Sequence, residues 1–136
     1  MGDDSVRIDP WSSNQSTDYA RIIEQFGLSS LDGLNLPNAT KLHRRGIVFA
    51  HRDLDVILGA HQRKESFGVL TGLMPSGRMH LGHSMVIEQV RYYQEMGADV
   101  TIAVADLESQ ATRGVSLAKG RQIAREDYVA NYAALG

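Results

Sequence analysis

Nine residues, Pro75 to His83 (PSGRMHLGH), constrain the fold of this chain more than any other stretch. They follow a short apolar run, Phe67 to Leu70, and lead into an amphipathic stretch that begins near His80. Because proline, serine and glycine favour turns, this order predicts a strand, a tight turn and then the N-terminus of a helix. His80 and His83 lie at positions i and i+3, which predicts that both imidazoles point the same way from that helix.

A helix N-terminus of this kind predicts a phosphate-binding site. Its first N–H groups have no partner inside the helix and carry a partial positive charge, so phosphate oxygens bind there readily. Gly82 has no side chain, which would let a planar base approach the backbone closely. The stretch therefore indicates a site for a nucleoside triphosphate.

The same two histidines also allow a metal interpretation, because His-x-x-His on a helix can bind zinc. Zinc would need further ligands, and His43, His51 and His61 show no spacing that suggests them. We therefore predict that the protein side chains form no metal site.

Regular alternation of strands and helices is predicted from residue 67 onward. The predicted elements are a strand at Phe67–Thr71, a helix at about His80–Met96, a strand at Val100–Ala105 and a helix from Ser116 to Leu135. Continuous apolar runs are typical of parallel strands that are covered on both faces, so both strands are expected to be buried. The pattern predicts an α/β fold, the first half of a doubly wound, Rossmann-type parallel-sheet nucleotide-binding domain over residues 67–136.

The preceding residues are predicted to form a separate, mostly helical extension. Residues 1–16 are polar and are expected to be a mobile lead-in, and residues 17–66 form the extension itself. The extension is predicted to contain a helix from Tyr19 to Phe26 capped by Thr17 and stopped at Gly27, a loop over 29–41, a strand at Ile47–Ala50 and a helix at Asp53–His61.

Composition narrows the class of protein. The net charge of −2 argues against a basic nucleic-acid-binding body, although Lys41, His43, Arg44 and Arg45 form a local cluster that fits either a phosphate contact or a solvated loop. There is no cysteine for disulfides, and no apolar run approaches the ~20 residues that span a bilayer. The acidic start lacks the features of a secretory signal, so a cytoplasmic protein without a membrane anchor is expected.

The stretch Pro75–His83 resembles the P-x-x-x-x-H-x-G-H motif of the class I aminoacyl-tRNA synthetases. Several further blocks are similar to the eukaryotic and archaeal tryptophanyl-tRNA synthetases, and the resemblance runs from about Asp9 to Gly136. These blocks are Asp9–Trp11, Asp18–Tyr19, Phe26–Gly27, Arg44–Asp53, Ala103–Glu108 and Arg113–Gly114.

The resemblance implies an ATP-dependent ligase that attaches tryptophan to its tRNA through an aminoacyl-adenylate, with Mg²⁺ as a further cofactor. It implies that His80 and His83 donate hydrogen bonds to the triphosphate and that Asp106 and Glu108 hold the substrate ammonium in a pocket that also includes Leu70. It further implies nucleotide-contacting residues, namely Thr71, Gly72, Pro75, Ser76, Gly77 and Gly82. A homodimer is implied for the full-length protein, and tRNA would bind through regions outside this sequence.

Two positions depart from the family pattern. Leu70 stands where these enzymes carry a strand tyrosine, and Ala103 stands where they carry a glutamine; neither side chain here can hydrogen-bond an indole N–H. The lysine-rich second signature, K-M-S-K-S, and an anticodon-binding helical domain are also absent from the sequence. The resemblance therefore implies an N-terminal portion of a synthetase that is inactive alone.

Two other functional interpretations remain. One is a non-catalytic nucleotide-binding or regulatory fragment of a synthetase paralogue, which would account for Leu70 and Ala103. The other is a small nucleotidylyltransferase, a family that shares a His-x-Gly-His turn. In that family the proline precedes the first histidine by two residues, whereas Pro75 precedes His80 by five, so this interpretation is disfavoured.

Overall fold

The computed structural model describes residues 19–136, in a chain that divides into two compact units, Met1–Gly59 and Ala60–Gly136. The predicted lead-in and the Thr17 cap lie outside the described residues. The elements in chain order are α1 (Tyr19–Gln25), β1 (Ser29–Ser30), α2 (Lys41–Arg44), β2 (Ala50–His51), α3 (Leu54–Gln62), β3 (Gly68–Leu73), α4 (Leu81–Glu95), β4 (Asp99–Val104), α5 (Asp106–Arg113), α6 (Leu117–Ile123), a π-helical turn (Ala124–Tyr128) and α7 (Val129–Leu135).

The first unit is built around three short helices. Buried leucine and isoleucine side chains from all three form its core, namely Ile22, Leu42, Leu54 and Leu58. The predicted stop of α1 is confirmed, because Gly27 adopts a φ of 58°, which favours glycine. The division between the two units falls within α3, a few residues before residue 67, the predicted start of the α/β domain.

The strand predicted at Ile47–Ala50 is wrong in position. β2 covers Ala50–His51 and pairs antiparallel with β1. The N–H groups of Ile47 and Val48 both donate to the Leu42 carbonyl, at 2.9 and 3.3 Å, so these two apolar residues close the end of α2 instead of joining a sheet.

The second unit contains the predicted strand–helix–strand arrangement. β3 and β4 are parallel neighbours, in register from Gly68 opposite Asp99 to Leu73 opposite Val104. The connecting helix α4 packs against both strands. This confirms the α/β fold predicted from the alternation of the sequence.

Burial of the two strands differs from the prediction. Exposure alternates along both of them, and the exposed positions share one face, namely Gly68, Leu70 and Gly72 of β3 with Asp99, Thr101 and Ala103 of β4. The expectation that both faces are covered is therefore wrong for residues 19–136. An apolar run shows that a strand can be buried, but it does not show whether helices cover one face or two.

The buried stripe of α4 does not follow the simplest spacing of its apolar residues. The spacing in the sequence predicts Val86, Val90 and Tyr93 on one face, whereas Ile87, Val90 and Tyr92 are the buried residues and Val86 is 38% exposed. Apolar residues cover more than one face of this helix, so periodicity does not select the stripe that meets the sheet.

The region after β4 is more helical than predicted. Residues 106–113, for which the sequence predicted no helix, form helix α5, which ends at Gly114 with a φ of 66°. Ser116 caps the last helical run as predicted, accepting the Lys119 N–H at 3.3 Å. A π-helical turn interrupts that run before it ends at Leu135. Along residues 19–136, none of the helices has the length and apolarity that a membrane crossing requires.

Candidate nucleotide site

The site is built on a tight turn, residues 74–79, between the end of β3 and the start of α4. The Ser76 N–H donates to the Met74 carbonyl at 2.8 Å and closes the turn. Ser76 and Gly77 are exposed, whereas Pro75 is buried. The structure therefore presents Ser76 and Gly77 to solvent, while Pro75 packs inside and defines the course of the chain.

Three side chains from distant parts of the sequence hold this turn. The buried Ser109 hydroxyl donates to the Pro75 carbonyl at 3.1 Å, and the buried Tyr128 hydroxyl donates to the Met74 carbonyl at 3.0 Å. At the other end of the turn, the Asp127 carboxylate accepts the Met79 N–H at 2.7 Å. Sequence reasoning missed all three, and no local pattern marks them, because the contacts span 34 to 54 residues.

His80 and His83 form a reciprocal cap at the start of α4. His80 is the N-cap residue, and its Nδ1 atom accepts the Gly82 N–H at 3.2 Å. The Nδ1 atom of His83 accepts the His80 N–H, also at 3.2 Å. Each imidazole therefore satisfies a backbone donor that the helix cannot satisfy itself.

This capping arrangement fixes the tautomer of both rings. A neutral imidazole has one donor and one acceptor nitrogen, so an Nδ1 atom that accepts a backbone N–H requires the proton to be on Nε2. The ring centroids of His80 and His83 are 4.0 Å apart, with 46° between the planes. The pair thus carries two Nε2–H donors on adjacent rings, as the sequence predicted for i and i+3 positions.

His83 lies in a less polar environment than its partner, half-buried where His80 is exposed. Burial lowers the pKa of His83 from its ordinary value of 6.5, the nearby His80 lowers it further, and the negative charge of Asp127 opposes both effects. The ring of Tyr128 packs edge-on against His83 at 5.6 Å. These surroundings favour the neutral, Nε2-protonated form of His83 near neutral pH.

Gly82 is required by the geometry of the histidine pair itself. A Cβ atom at this position would lie 3.1 Å from Cε1 and 3.2 Å from Nδ1 of His80, tighter than ordinary contact distances. The His80 ring would have to move to make room. The absence of a side chain at Gly82 thus serves the cap, in addition to the close approach of a base predicted from the sequence.

The predicted amino-acid-binding carboxylates lie in the first turn of α5, directly after β4. The Asp106 carboxylate accepts a hydrogen bond from the Arg121 guanidinium at 2.7 Å and one from the Leu107 N–H at 2.9 Å. The bond from Arg121 is the main cause of the lowered pKa of Asp106. Glu108 is exposed. Both carboxylates are thus at the carboxyl end of the parallel strands, where ligands of open α/β sheets bind.

The strand positions divide between the two faces of the sheet. Leu70 is 76% exposed and shares the open face with Gly72 and Ala103, whereas Thr71 points to the opposite, half-buried face. Leu70 and Ala103, the two departures from the family pattern, therefore lie on one surface. Leu70 lies opposite Thr101, and Ala103 lies opposite Gly72, on this face.

One cavity of about 490 Å³ lies in the first unit and is lined by residues that include Tyr19, His43 and Phe49. Within residues 19–136, no group of three or more His, Asp or Glu side chains is arranged to hold a metal ion. At the candidate site itself, His80 is exposed and His83 is half-buried.

A parallel βαβ unit with paired imidazole donors at the helix that follows its first strand defines an α/β domain of the nucleotide-binding type. A family model described as tRNA synthetases class I (W and Y) matches residues 62–136. The chain belongs to this family of class I synthetases.

Individual relatives give the same result. The tryptophan–tRNA ligase of Thermoplasma acidophilum is 46% identical over 129 residues, a match that covers 95% of this chain and 30% of that protein. The tryptophan–tRNA ligase of Methanosarcina acetivorans is 41% identical over 133 residues, covering 96% of this chain and 30% of that protein. The chain thus spans about a third of the length of the relatives it matches.

Solved structures of this family share the fold. The tryptophanyl-tRNA synthetase from Aeropyrum pernix superposes with a TM-score of 0.80 at 41% identity, covering 95% of this chain and 37% of that one. A tryptophanyl-tRNA synthetase from Encephalitozoon cuniculi, bound to tryptophan, gives a TM-score of 0.78 at 29% identity, covering 89% of this chain and 36% of that one. The predicted fold class and family are confirmed.

Proposed function

We propose that this chain provides the first signature of the ATP site in an enzyme that attaches tryptophan to its tRNA. The observation that carries the proposal is the histidine pair, whose Nδ1 atoms are both occupied by backbone N–H groups, leaving two Nε2–H donors. The names of the relatives supply the substrate, tryptophan. Because the chain spans about a third of those relatives, the activity of the whole protein is part of the proposal.

In the proposed reaction, the tryptophan carboxylate attacks the α-phosphorus of ATP. A bond forms between the carboxylate oxygen and that phosphorus, the bond to the bridging oxygen of the β-phosphate breaks, and pyrophosphate leaves. Negative charge develops on the phosphoryl oxygens, so catalysis is mainly positioning and electrostatic stabilisation. His80 and His83 would donate from Nε2 to these oxygens, and one well-placed donor of this type contributes roughly 3–4 kcal/mol.

The residues around the pair would shape the nucleotide-binding surface. The exposed Ser76 and Gly77 would face the phosphates, and Gly82 would allow the base to lie close to the backbone. Thr71 and Gly72, near the end of β3, would line the nucleotide-binding surface. The buried Pro75 would contribute by fixing the path of the turn.

Asp106 and Glu108 would bind the ammonium group of tryptophan. The bond from Arg121 favours the charged form of Asp106. Glu108, two residues further along α5, is exposed. Leu70 would contribute apolar contact in the same pocket. Since neither Leu70 nor Ala103 can accept a hydrogen bond through its side chain, other groups would have to bind the indole N–H.

The remaining partners follow from the same proposal. Mg²⁺ would be held through the ATP phosphates and water, since no cluster of three or more His, Asp or Glu side chains suits a metal along the described part of the chain. It would neutralise charge on the phosphates. tRNA would bind through regions beyond this sequence, the full-length protein would be a homodimer, and translation would place it in the cytoplasm.

Calorimetry of ATP binding to the 136-residue chain tests the site directly. The double variant His80→Asn plus His83→Gln replaces both Nε2–H donors by side chains that can still cap the helix. We expect it to bind ATP at least about tenfold more weakly, the factor that corresponds to ~1.4 kcal/mol. The control His61→Gln changes a histidine whose Nδ1 contacts the Met96 carbonyl, and it should bind as the parent does.

Equal ATP affinity in the double variant and the parent would contradict the role of the histidines. For the full-length protein, near-normal exchange of labelled pyrophosphate into ATP in that variant would contradict it as well. ATP binding without any tryptophan binding or exchange would favour a non-catalytic nucleotide-binding protein, the function to which Leu70 and Ala103 point.

A further inference from the structure

The π-helical turn Ala124–Tyr128 directs two consecutive side chains at the turn that precedes the histidines. π-Helical turns inside α-helices add one residue to a turn and are frequent at functional sites. Here Tyr128 reaches the Met74 carbonyl and Asp127 reaches the Met79 N–H, so adjacent residues hold the two ends of the 74–79 turn.

The carboxylate of Asp127 is held in place by two hydrogen bonds. Its Oδ2 atom accepts the Met79 N–H at 2.7 Å, and its Oδ1 atom accepts from the Asn131 amide at 2.9 Å. The Asn131 amide also donates to the Asp127 carbonyl at 2.7 Å, which fixes both residues on the same helical face. Short bonds to a charged acceptor are the stronger class of hydrogen bond.

Asp127 also supplies negative charge to the surroundings of His83. The groups that face His83 are the His80 imidazole at 4.0 Å, the Tyr128 ring at 5.6 Å and the Asp127 carboxylate. Burial and His80 both lower the pKa of His83, and the charge of Asp127 raises it. The carboxylate therefore opposes the two effects that make His83 a poorer base.

We propose that Asp127 is a positioning residue for the histidine pair: its carboxylate accepts the Met79 N–H and so fixes the backbone immediately before His80. This inference rests on the proposed function of the pair as phosphate-binding donors. Asp127 would act through the backbone and not by touching the nucleotide, because a carboxylate in contact with the phosphates would repel them. A fixed Met79 backbone holds His80 and, through the bond from the His80 N–H to His83, both imidazole donors in place for the developing phosphoryl charge.

The test uses nuclear magnetic resonance of the 136-residue chain with ¹⁵N-labelled histidine, and it measures two quantities. The ¹⁵N shifts of His83 report its tautomer and its pKa, and hydrogen exchange reports the Met79 N–H. In Asp127→Asn, we expect the pKa of His83 to fall and the Met79 N–H to exchange about tenfold faster. The control Glu126→Gln removes a neighbouring carboxylate that accepts from Gln122, and both readings should stay at the parent values.

A second variant separates the effect of the position of the carboxylate from any effect on the stability of the fold. The exchange Asp127→Asn plus Asn131→Asp keeps the net charge and an amide–carboxylate pair but moves the charge one helical turn along α7. We expect it to unfold at the temperature of the parent while the pKa of His83 remains below the parent value. The inference would be overturned if Asp127→Asn left both the pKa of His83 and the exchange rate of the Met79 N–H at their parent values.

Addition of ATP distinguishes this inference from the proposed function on which it rests. ATP should shift the Nε2 resonances of both histidines in the parent, and about tenfold more ATP should be needed in Asp127→Asn. No ATP-dependent shift in the parent would overturn the proposed function and the nucleotide-positioning role with it. If the shifts show that the parent and Asp127→Asn bind ATP with the same affinity, only the positioning role is overturned.

Discussion

The fully buried hydroxyl of Tyr128 donates to the backbone carbonyl of Met74 at 3.0 Å, across 54 residues of sequence. This bond joins the last helical run of the chain to the end of the first parallel strand. Together with the Ser109 bond to Pro75, it makes the shape of the 74–79 turn a property of the whole second unit.

Tyr128→Phe should destabilise the chain by about 1–3 kcal/mol, because the Met74 carbonyl would lose its partner from the buried tyrosine. Tyr132→Phe is the matched control. Its hydroxyl is buried with no hydrogen-bond partner among the described residues, and burial raises its pKa to about 12. Chemical denaturation should therefore find Tyr132→Phe neutral or slightly stabilising. Equal losses in the two variants would show that the Met74 bond contributes little.

His80→Ala and His80→Asn should differ in stability but not in ATP binding. Alanine cannot accept the Gly82 N–H and should cost about 1 kcal/mol, whereas asparagine is among the best N-cap residues and should retain the cap. Neither substitute carries the Nε2–H donor, so both should weaken ATP binding. Thermal denaturation and calorimetry measure the two effects separately, and full ATP affinity in His80→Asn would exclude a donor role for His80.

Gly82→Ala should leave the stability of α4 nearly unchanged while weakening ATP binding, because the gain in helix propensity and the loss of the His80 cap each amount to about 1 kcal/mol. Alanine is favoured over glycine in a helix by roughly 1 kcal/mol, but its Cβ would meet the His80 ring at 3.1 Å and displace it. The control Ser84→Ala raises helix propensity in the same helix without a contact to that ring. Histidine resonances and ATP titrations check the prediction, which fails if the His80 signals of Gly82→Ala match those of the parent.

Stability should fall as the pH drops below His83's ordinary pKa of 6.5. The folded state lowers the pKa of His83, so the unfolded chain binds the proton more readily. The stability that the neutral His83 contributes is therefore fully present above pH 6.5, and it is lost as the pH falls through the lowered pKa of the folded state. Urea unfolding of the parent and of His83→Gln, each at about pH 7.5 and about pH 5.5, separates the effect of His83 on the free energy of unfolding from the effects of the other histidines. An equal loss in both proteins would remove His83 as its source.

Local signals in the sequence predicted much of this architecture. Gly27 and Ser116 mark helix boundaries that the structure confirms, and the i, i+3 spacing of His80 and His83 predicted adjacent rings. Each of these depends on residues within one or two turns of each other. Backbone geometry over such distances is set by steric preference and local hydrogen bonding.

Errors arose where a choice depended on distant residues. The apolar run Val100–Ala105 predicted a strand correctly but not its open face, and the apolar residues of α4 did not reveal that Tyr92 is buried in preference to Tyr93. Helix α5 was missed because its sequence, rich in polar residues, resembles a loop until Ser109 is placed against Pro75.

The sequence alone determined the order of β3, α4 and β4, the turn before α4 and the adjacency of His80 and His83. Tertiary structure decided what holds that turn in place, because the groups that bind it, Ser109, Asp127 and Tyr128, lie in helices far along the chain. The physical reason is that capping and turn preferences act between near neighbours, whereas the pairing of buried backbone carbonyls depends on which helix packs against them.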